Sequence, residues 1–182
     1  MSVNIPTRTE NETAGAGFAQ GDSRFDTRAF RSALGTFATG VAVVTTLSAD
    51  DTRIGITVNS FSSVSLVPPL VLISVGKNNH SFPHFLECRY FAVNVLSAAQ
   101  KEISRRFAHS AADKWRDVPL RYGAFGCPLL DSALSIFECE VEHRYDAGDH
   151  VILLGKIIAF DFETEGTPLL FFRGGYGHIS EA

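Results

Sequence analysis

The sequence predicts a mostly-β domain: a closed or nearly closed antiparallel barrel with a few short helices at its periphery. Three observations carry this. Six segments are β-branched, alternating or wholly apolar over strand-like lengths: Val41–Leu47, Ile54–Ser60, Leu70–Val75, Tyr90–Leu96, Ala133–Tyr145 and His150–Phe162. Turn residues and short helical stretches separate them, without the strand–helix–strand alternation of a parallel sheet. No G-x-G-x-x-G follows a strand, which argues against a doubly wound dinucleotide fold.

The chain of 182 residues is long enough for one domain with a sizeable core, expected over 24–182. The segment 1–23, rich in Thr, Asn, Glu, Gly, Ala and Ser, is expected to be a disordered tail. A net charge of −4 argues against a broad basic surface, so no nucleic-acid partner is expected. No apolar run has the length of a bilayer span or a signal core, so no membrane association is expected. The three cysteines, Cys88, Cys127 and Cys139, are odd in number and lack C-x-x-C spacing, which suggests a reduced, cytoplasmic protein with buried thiols.

In chain order, Asp26 reads as an N-cap. After it Ala29, Phe30, Ala33, Leu34 and Phe37 fall at helical spacing, an apolar face expected against a core. Thr39–Gly40 turns into the strand Val41–Leu47, and the polar hairpin turn 48–53 leads to the strand Ile54–Ser60. The stretch GITVNSFSSVSLVPP, Gly55–Pro69, reads as this strand running into a polar loop, closed by Pro68–Pro69. Its hydroxyls, amide and N–H groups suit a flat polar ligand, although Ser and Asn are also ordinary turn residues.

Leu70–Val75 reads as a buried strand ending at Gly76–Ser81, where Lys77 precedes a short helical segment, a combination that suits a phosphate. Ser97 with Gln100 makes a capping-box pattern before a helix over 98–108, with Ile103 and Phe107 facing inward. The segment 109–130 reads as irregular and able to cover a site or a partner subunit. From Ala133 to Tyr145 the period is two, with Glu138, Glu140, Glu142 and Arg144 on an expected wet face. The turn Ala147–Asp149 leads to His150–Phe162, and Pro168–Phe172 forms the last strand.

Together these pieces resemble the flavin reductase family of two-component flavin monooxygenases. The matching motifs are FRSALGTFATGVAVVT (Phe30–Thr45), the Gly55–Pro69 stretch, LVLISVGKNNHSF (Leu70–Phe82), YFAVNVLSAAQKEISRRFA (Tyr90–Ala108), GDHVILLG (Gly148–Gly155) and PLLFFRGGYG (Pro168–Gly177). Each is loose alone; six in order are specific. The resemblance implies an FMN-binding split β-barrel, usually a homodimer, using FMN or FAD with NADH or NADPH and passing reduced flavin to a separate monooxygenase. It implies that Asn59, Ser60, Phe61, Ser63, Val64 and Ser65 contact the flavin ring, that Lys77, Ser81 and Arg106 hold its phosphate, and that Phe82 is a further cofactor-binding residue. Thr39, Phe107, Ala108 and Tyr176 match positions near the cofactors. His150 would lie beside the nicotinamide and flavin rings and is the candidate catalytic residue.

No metal site is expected: His80 and His84 are four apart, but Pro83 lies between them and no third ligand is near in sequence. Three readings are open. One is an NAD(P)H:flavin oxidoreductase. Another is a tightly flavin-binding carrier or sensor without productive NADH turnover. A third is a pyridoxine-phosphate-oxidase-like activity. A carrier should purify yellow and be slow with NADH, whereas a reductase should oxidise NADH in proportion to added flavin.

Overall fold

In the computed structural model, which describes residues 26–110, 113–177 and 179, an antiparallel seven-stranded sheet rolls around the main core. The elements in chain order are α1 (Thr27–Leu34), β1 (Thr39–Gly40), β2 (Ala42–Leu47), β3 (Arg53–Val58), β4 (Ser62–Leu66), β5 (Pro69–Gly76), α2 (Phe82–Glu87) and β6 (Tyr90–Val95). A 3₁₀ turn (Ala98–Gln100) then leads into α3 (Lys101–Phe107), followed by β7 (Leu120–Tyr122), β8 (Pro128–Leu130), β9 (Ser135–Ala147), β10 (His150–Phe162), β11 (Leu170–Phe172) and β12 (Gly175–Gly177). The large sheet has the order β3-β2-β6-β9-β10-β5-β4; β1-β11-β12 and β7-β8 form two small sheets. The expected tail over 1–23 lies outside the described residues.

The edge strands β3 and β4 are consecutive in the chain, joined by Asn59–Phe61. The Ser60 hydroxyl ties this junction to β5, accepting from Ser74 N–H at 3.0 Å and donating to Ser74 C=O at 3.1 Å. Inside lie Val44, Ile56, Ile73, Phe91, Val93, Cys139 and Leu153, all buried. A second cluster, with Val43, Leu96, Phe107 and Leu169, holds α3 and the small β1-β11-β12 sheet against the barrel.

Four expectations are corrected by the fold. Asp26 does cap α1, accepting from the N–H groups of Arg28 and Ala29. The apolar face of that helix is not packed into the core clusters of the described residues, however: α1 has no buried residue, and Leu34 and Phe37 are 58% and 76% exposed. Residues 62–66 are not a polar loop but strand β4, paired to β5 through a hairpin whose Val67–Pro68 bond is cis. Hydroxyl-rich sequence forms a strand here because β5 offers a free ladder edge, and an edge strand tolerates polar side chains on its solvent side.

The period of two in β9 breaks at Glu142. Leu154 pairs with His143 and Gly155 with Val141, so Glu142 is an extra residue, and an inserted residue exchanges the faces beyond it. Arg144 therefore turns toward the core side and donates to the carbonyls of Phe85 and Cys88. Glu138 is buried rather than wet, because the β7–β8 turn covers that face and aims the N–H groups of Ala124 and Phe125 at its carboxylate.

The last correction is to the irregular 109–130 segment, which contains the β7–β8 hairpin. Its first part also protects a sheet edge: Trp115 Nε1 donates to Arg53 C=O at 2.8 Å and Lys114 Nζ to Gly55 C=O at 2.7 Å, closing the open ladder of β3. Burial lowers the pKa of the Lys114 ammonium.

Candidate active site

The end of the barrel at which β3 and β5 terminate gathers seven of the fifteen candidate residues in two places: Thr39, Asn59, Ala108 and Tyr176 in one, His150 and Lys77 in the other, with Ser60 between them. The first is a cleft of about 170 Å³ lined by Val41, Val58, Asn59, Ala108, Phe171 and Tyr176, with Thr57 and Ser104 at its side. Its polar groups are organised: Thr57 Oγ1 donates to Ser104 C=O at 2.7 Å, and Ser104 Oγ shares a hydrogen bond with the Tyr176 hydroxyl at 2.8 Å. Phe171 meets Tyr176 edge to face at 5.6 Å between centroids, which orients the phenol ring.

Thr39 pairs with Phe171 across β1 and β11. Its hydroxyl is the one buried side-chain oxygen or nitrogen among the described residues that has no hydrogen-bond partner. Such a group needs an explanation, and a ligand polar atom is one. Val41 and Phe171 supply apolar surface beside it, so the residues fit a flat, partly polar ring system such as a flavin.

The second place is the corner where β10 begins. His150 pairs with Gly76 across β10 and β5, and its ring lies over the glycine: a Cβ at Gly76 would stand 3.5 Å from His150 Nε2. His150 Nδ1 is 2.6 Å from Asp149 Oδ1, and this hydrogen bond chiefly holds the Asp149 carboxyl below the usual carboxylate range. Lys77 lies beside this corner, its ammonium 2.9 Å from both oxygens of Asp146, with its backbone N–H on Asp149 C=O. Ser74, which holds Ser60, is two residues before Gly76 on β5, about 7 Å along the strand. The Asn59–Ser60 junction thus links the cleft to the His150 corner.

Other candidate residues have structural partners. Phe61 stacks on Phe137 at 5.6 Å and, with Phe82, packs against the barrel core. Phe107 is buried edge to face on Trp115. Arg106 donates to Arg116 C=O at 2.6 Å, tethering the 113–118 loop to α3. Ser63 and Val64 are exposed on β4 and Ser65 is half-buried. Ser81 is buried, with its N–H on Asn79 Oδ1 at 2.8 Å.

Residue types alone did not single out Thr57, Ser104, Asp146 or Asp149. Ser104 could have been found, since it precedes Phe107 by three on the inward face of α3. All three cysteines are free and buried, and desolvation pushes the thiols of Cys127 and Cys139 up to about 12, which leaves them unreactive. Among the described residues no group of three or more His, Cys, Asp or Glu could hold a metal, and no helix is long and apolar enough to cross a membrane.

Comparison with known proteins identifies the family. Residues 34–180 match the flavin reductase like domain, and the chain belongs to that family. It is 42% identical over 155 residues to FMN reductase (NADH) SmoA of Agrobacterium fabrum, covering 85% of this chain and 87% of that one. The NADH:FAD oxidoreductase SgcE6 of Streptomyces globisporus, solved with NAD and FAD fragments, superposes with a TM-score of 0.82 at 36% identity, covering 91% of this chain and 98% of that one. The chain spans about half the length of other curated relatives. One is the reductase component of the flavin-dependent trigonelline monooxygenase of Acinetobacter baylyi, 39% identical over 82% of this chain and 48% of the relative. The fold is thus the antiparallel split barrel of the flavin reductases.

Proposed function

We propose that this domain is an NAD(P)H:flavin oxidoreductase that supplies reduced FMN or FAD to a separate flavin-dependent monooxygenase. The observation that carries the reading is the unpartnered buried hydroxyl of Thr39 beside the Asn59–Ala108–Tyr176 cleft, at the barrel end that also bears His150. A bound flavin and nicotinamide would supply the hydride chemistry themselves, so the protein would need no acid or base at the moment of transfer. Its residues bind and orient. Val41, Val58 and Phe171 offer apolar walls to a ring, while Thr39 and Asn59 offer polar contacts at its edge. Tyr176 is held by Ser104. His150, fixed by Asp149 and seated over Gly76, would orient the nicotinamide.

Lys77 and Ser81 would take the flavin phosphate. For Lys77 this means exchanging Asp146 for the ligand.

We also infer a homodimer. The exposed apolar face at Leu34 and Phe37, and the β4–β5 hairpin tip at Leu66 and Val67 (89% and 92% exposed), are surfaces a second copy would cover. A sedimentation measurement at micromolar concentration should then give a dimer mass, and a monomer alone would remove this part of the reading.

The activity test is NADH oxidation with riboflavin, FMN and FAD in turn. The rate should scale with added flavin. No flavin-dependent rate with either NADH or NADPH would end the reductase reading.

A further inference from the structure

We propose that the cleft between α1 and the β11–β12 turn is a phosphate site that takes the pyrophosphate of the nicotinamide dinucleotide. This rests on the reductase reading above. The cleft has a volume of about 550 Å³, and Arg28, Arg31 and Arg173 line it together with Ser32 and Thr36. Arg28 and Arg31 are one helical turn apart, so both guanidiniums project from one side of α1. Arg173 approaches from the opposite wall, in a turn with φ of 48°. Its backbone N–H donates to Gly35 C=O at 2.8 Å, which fixes the turn against the end of the helix. Its guanidinium lies over the Phe172 ring, 5.1 Å from the centroid.

Among the described residues none of the three arginines has a carboxylate within ion-pair distance, whereas Lys77, Arg89, Arg105, Arg116 and Arg121 each have one. The Asp26 carboxylate accepts the backbone N–H groups of Arg28 and Ala29 as the helix cap, and no ion pair joins it to a guanidinium of the cluster. Three guanidiniums facing one cleft repel one another until an anion enters, and the planar fork of arginine matches phosphate oxygens in pairs.

Location selects the ligand. Arg31 acts weakly on the Asp149 carboxyl, so the α1 wall of the cleft lies within electrostatic range of the His150 corner. Arg173 lies in the same hairpin as Tyr176, three residues before it. The basic cleft is therefore within electrostatic range of the His150 corner and joined to the Tyr176 cleft through the β11–β12 hairpin. In a nicotinamide dinucleotide the pyrophosphate is joined to the nicotinamide through a single ribose, and it needs a site at this remove from the ring. Lys77, at the Asp146 side of the same corner, is left for the flavin phosphate.

The test uses the full chain and a readout that needs no turnover. Calorimetric titration with ADP, which carries the adenylate half and the pyrophosphate, should show binding to the wild type. The double variant Arg31→Gln/Arg173→Gln should bind ADP at least tenfold more weakly. Arg31→Lys/Arg173→Lys should recover part of the loss. In steady state with riboflavin as acceptor, the double Gln variant should raise KM for NADH about tenfold and leave kcat within twofold, while the affinity for FMN is unchanged. If the double Gln variant melts well below the wild type, Arg28→Gln alone serves, with a threefold or greater loss of ADP affinity expected. Unchanged ADP affinity in a folded variant overturns the proposal. So does a parallel loss for FMN, which would make this the flavin phosphate site. A wild type that binds ADP through these arginines yet shows no flavin-dependent NADH oxidation would sink the reductase reading and leave the phosphate site standing.

Discussion

Replacing Asp146 by Asn tests the phosphate role of Lys77 without altering the lysine. The Lys77 ammonium stands 2.9 Å from both carboxylate oxygens, but the pair is open to solvent, with side chains 34% and 77% exposed. An ion pair in such surroundings contributes about 0.5 kcal/mol. A charge-assisted contact with a phosphate contributes about 1.5–3 kcal/mol. The phosphate should therefore win, and flavin binding carries only the small cost of opening the pair. Asp146→Asn removes the competitor and should tighten FMN binding by about twofold, the ratio that 0.5 kcal/mol implies. Lys77→Ala removes the contact itself, a net loss of about 1.5 kcal/mol, and should weaken FMN binding by roughly tenfold. Riboflavin, which has no phosphate, should respond to neither change. Fluorescence titration of both flavins against the three proteins reads all of these shifts. Equal losses of riboflavin and FMN in Lys77→Ala, or weaker FMN binding in Asp146→Asn, would refute the reasoning.

Three further outcomes are expected. His150→Ala should lower kcat/KM for NADH by roughly 10- to 100-fold and leave the flavin Kd within about threefold; a variant with a lowered melting temperature but full activity would make His150 a turn residue only. Gly55→Ala should destabilise the barrel by about 1–3 kcal/mol, because the new Cβ would stand 2.7 Å from the Phe107 ring and 3.0 Å from Trp115. An unchanged denaturation midpoint would show that these rings can yield. Stability should fall as pH rises from about 9 to about 12, because Cys127 and Cys139 keep their protons in the folded state up to about 12 while the unfolded thiols lose theirs from the ordinary value of 9.0. The unfolded chain then binds fewer protons, which gives the slope its negative sign. The Cys127→Ala variant should show a shallower decline, and identical slopes in variant and wild type would contradict the burial effect.

The strands were legible because each carries its own pattern. The β-branched run of β2, the apolar run of β5 and the alternating first half of β9 all signal extended structure from adjacent residues alone. The Asp26 cap and the Ser97–Gln100 box were legible for the same reason: capping bonds span three residues or fewer, and Gln100 Oε1 does accept from Ser97 N–H at 3.1 Å. Misreadings came where the deciding partner is distant in the chain. Ser62–Leu66 becomes a strand through β5, and Glu138 is buried by a turn some fourteen residues before it.

The candidate site divides in the same way. Residue types and motif order, read from the sequence alone, determined the mostly-β class and pointed to Asn59, Lys77, His150 and Tyr176, since these depend on short segments in a given order. Tertiary structure decided which of them meet. Sheet closure brings Asn59 to Ala108 and Tyr176 and turns the Phe61 and Phe107 rings toward packed surroundings. The β5–β10 register seats His150 over Gly76, and the ends of β9 and β10 bring Asp146 and Asp149 to Lys77 and His150. The three arginines of the basic cleft stand more than 140 residues apart at their extremes. No local pattern couples them; only the docking of the β11–β12 turn against α1 places their like charges in one cleft.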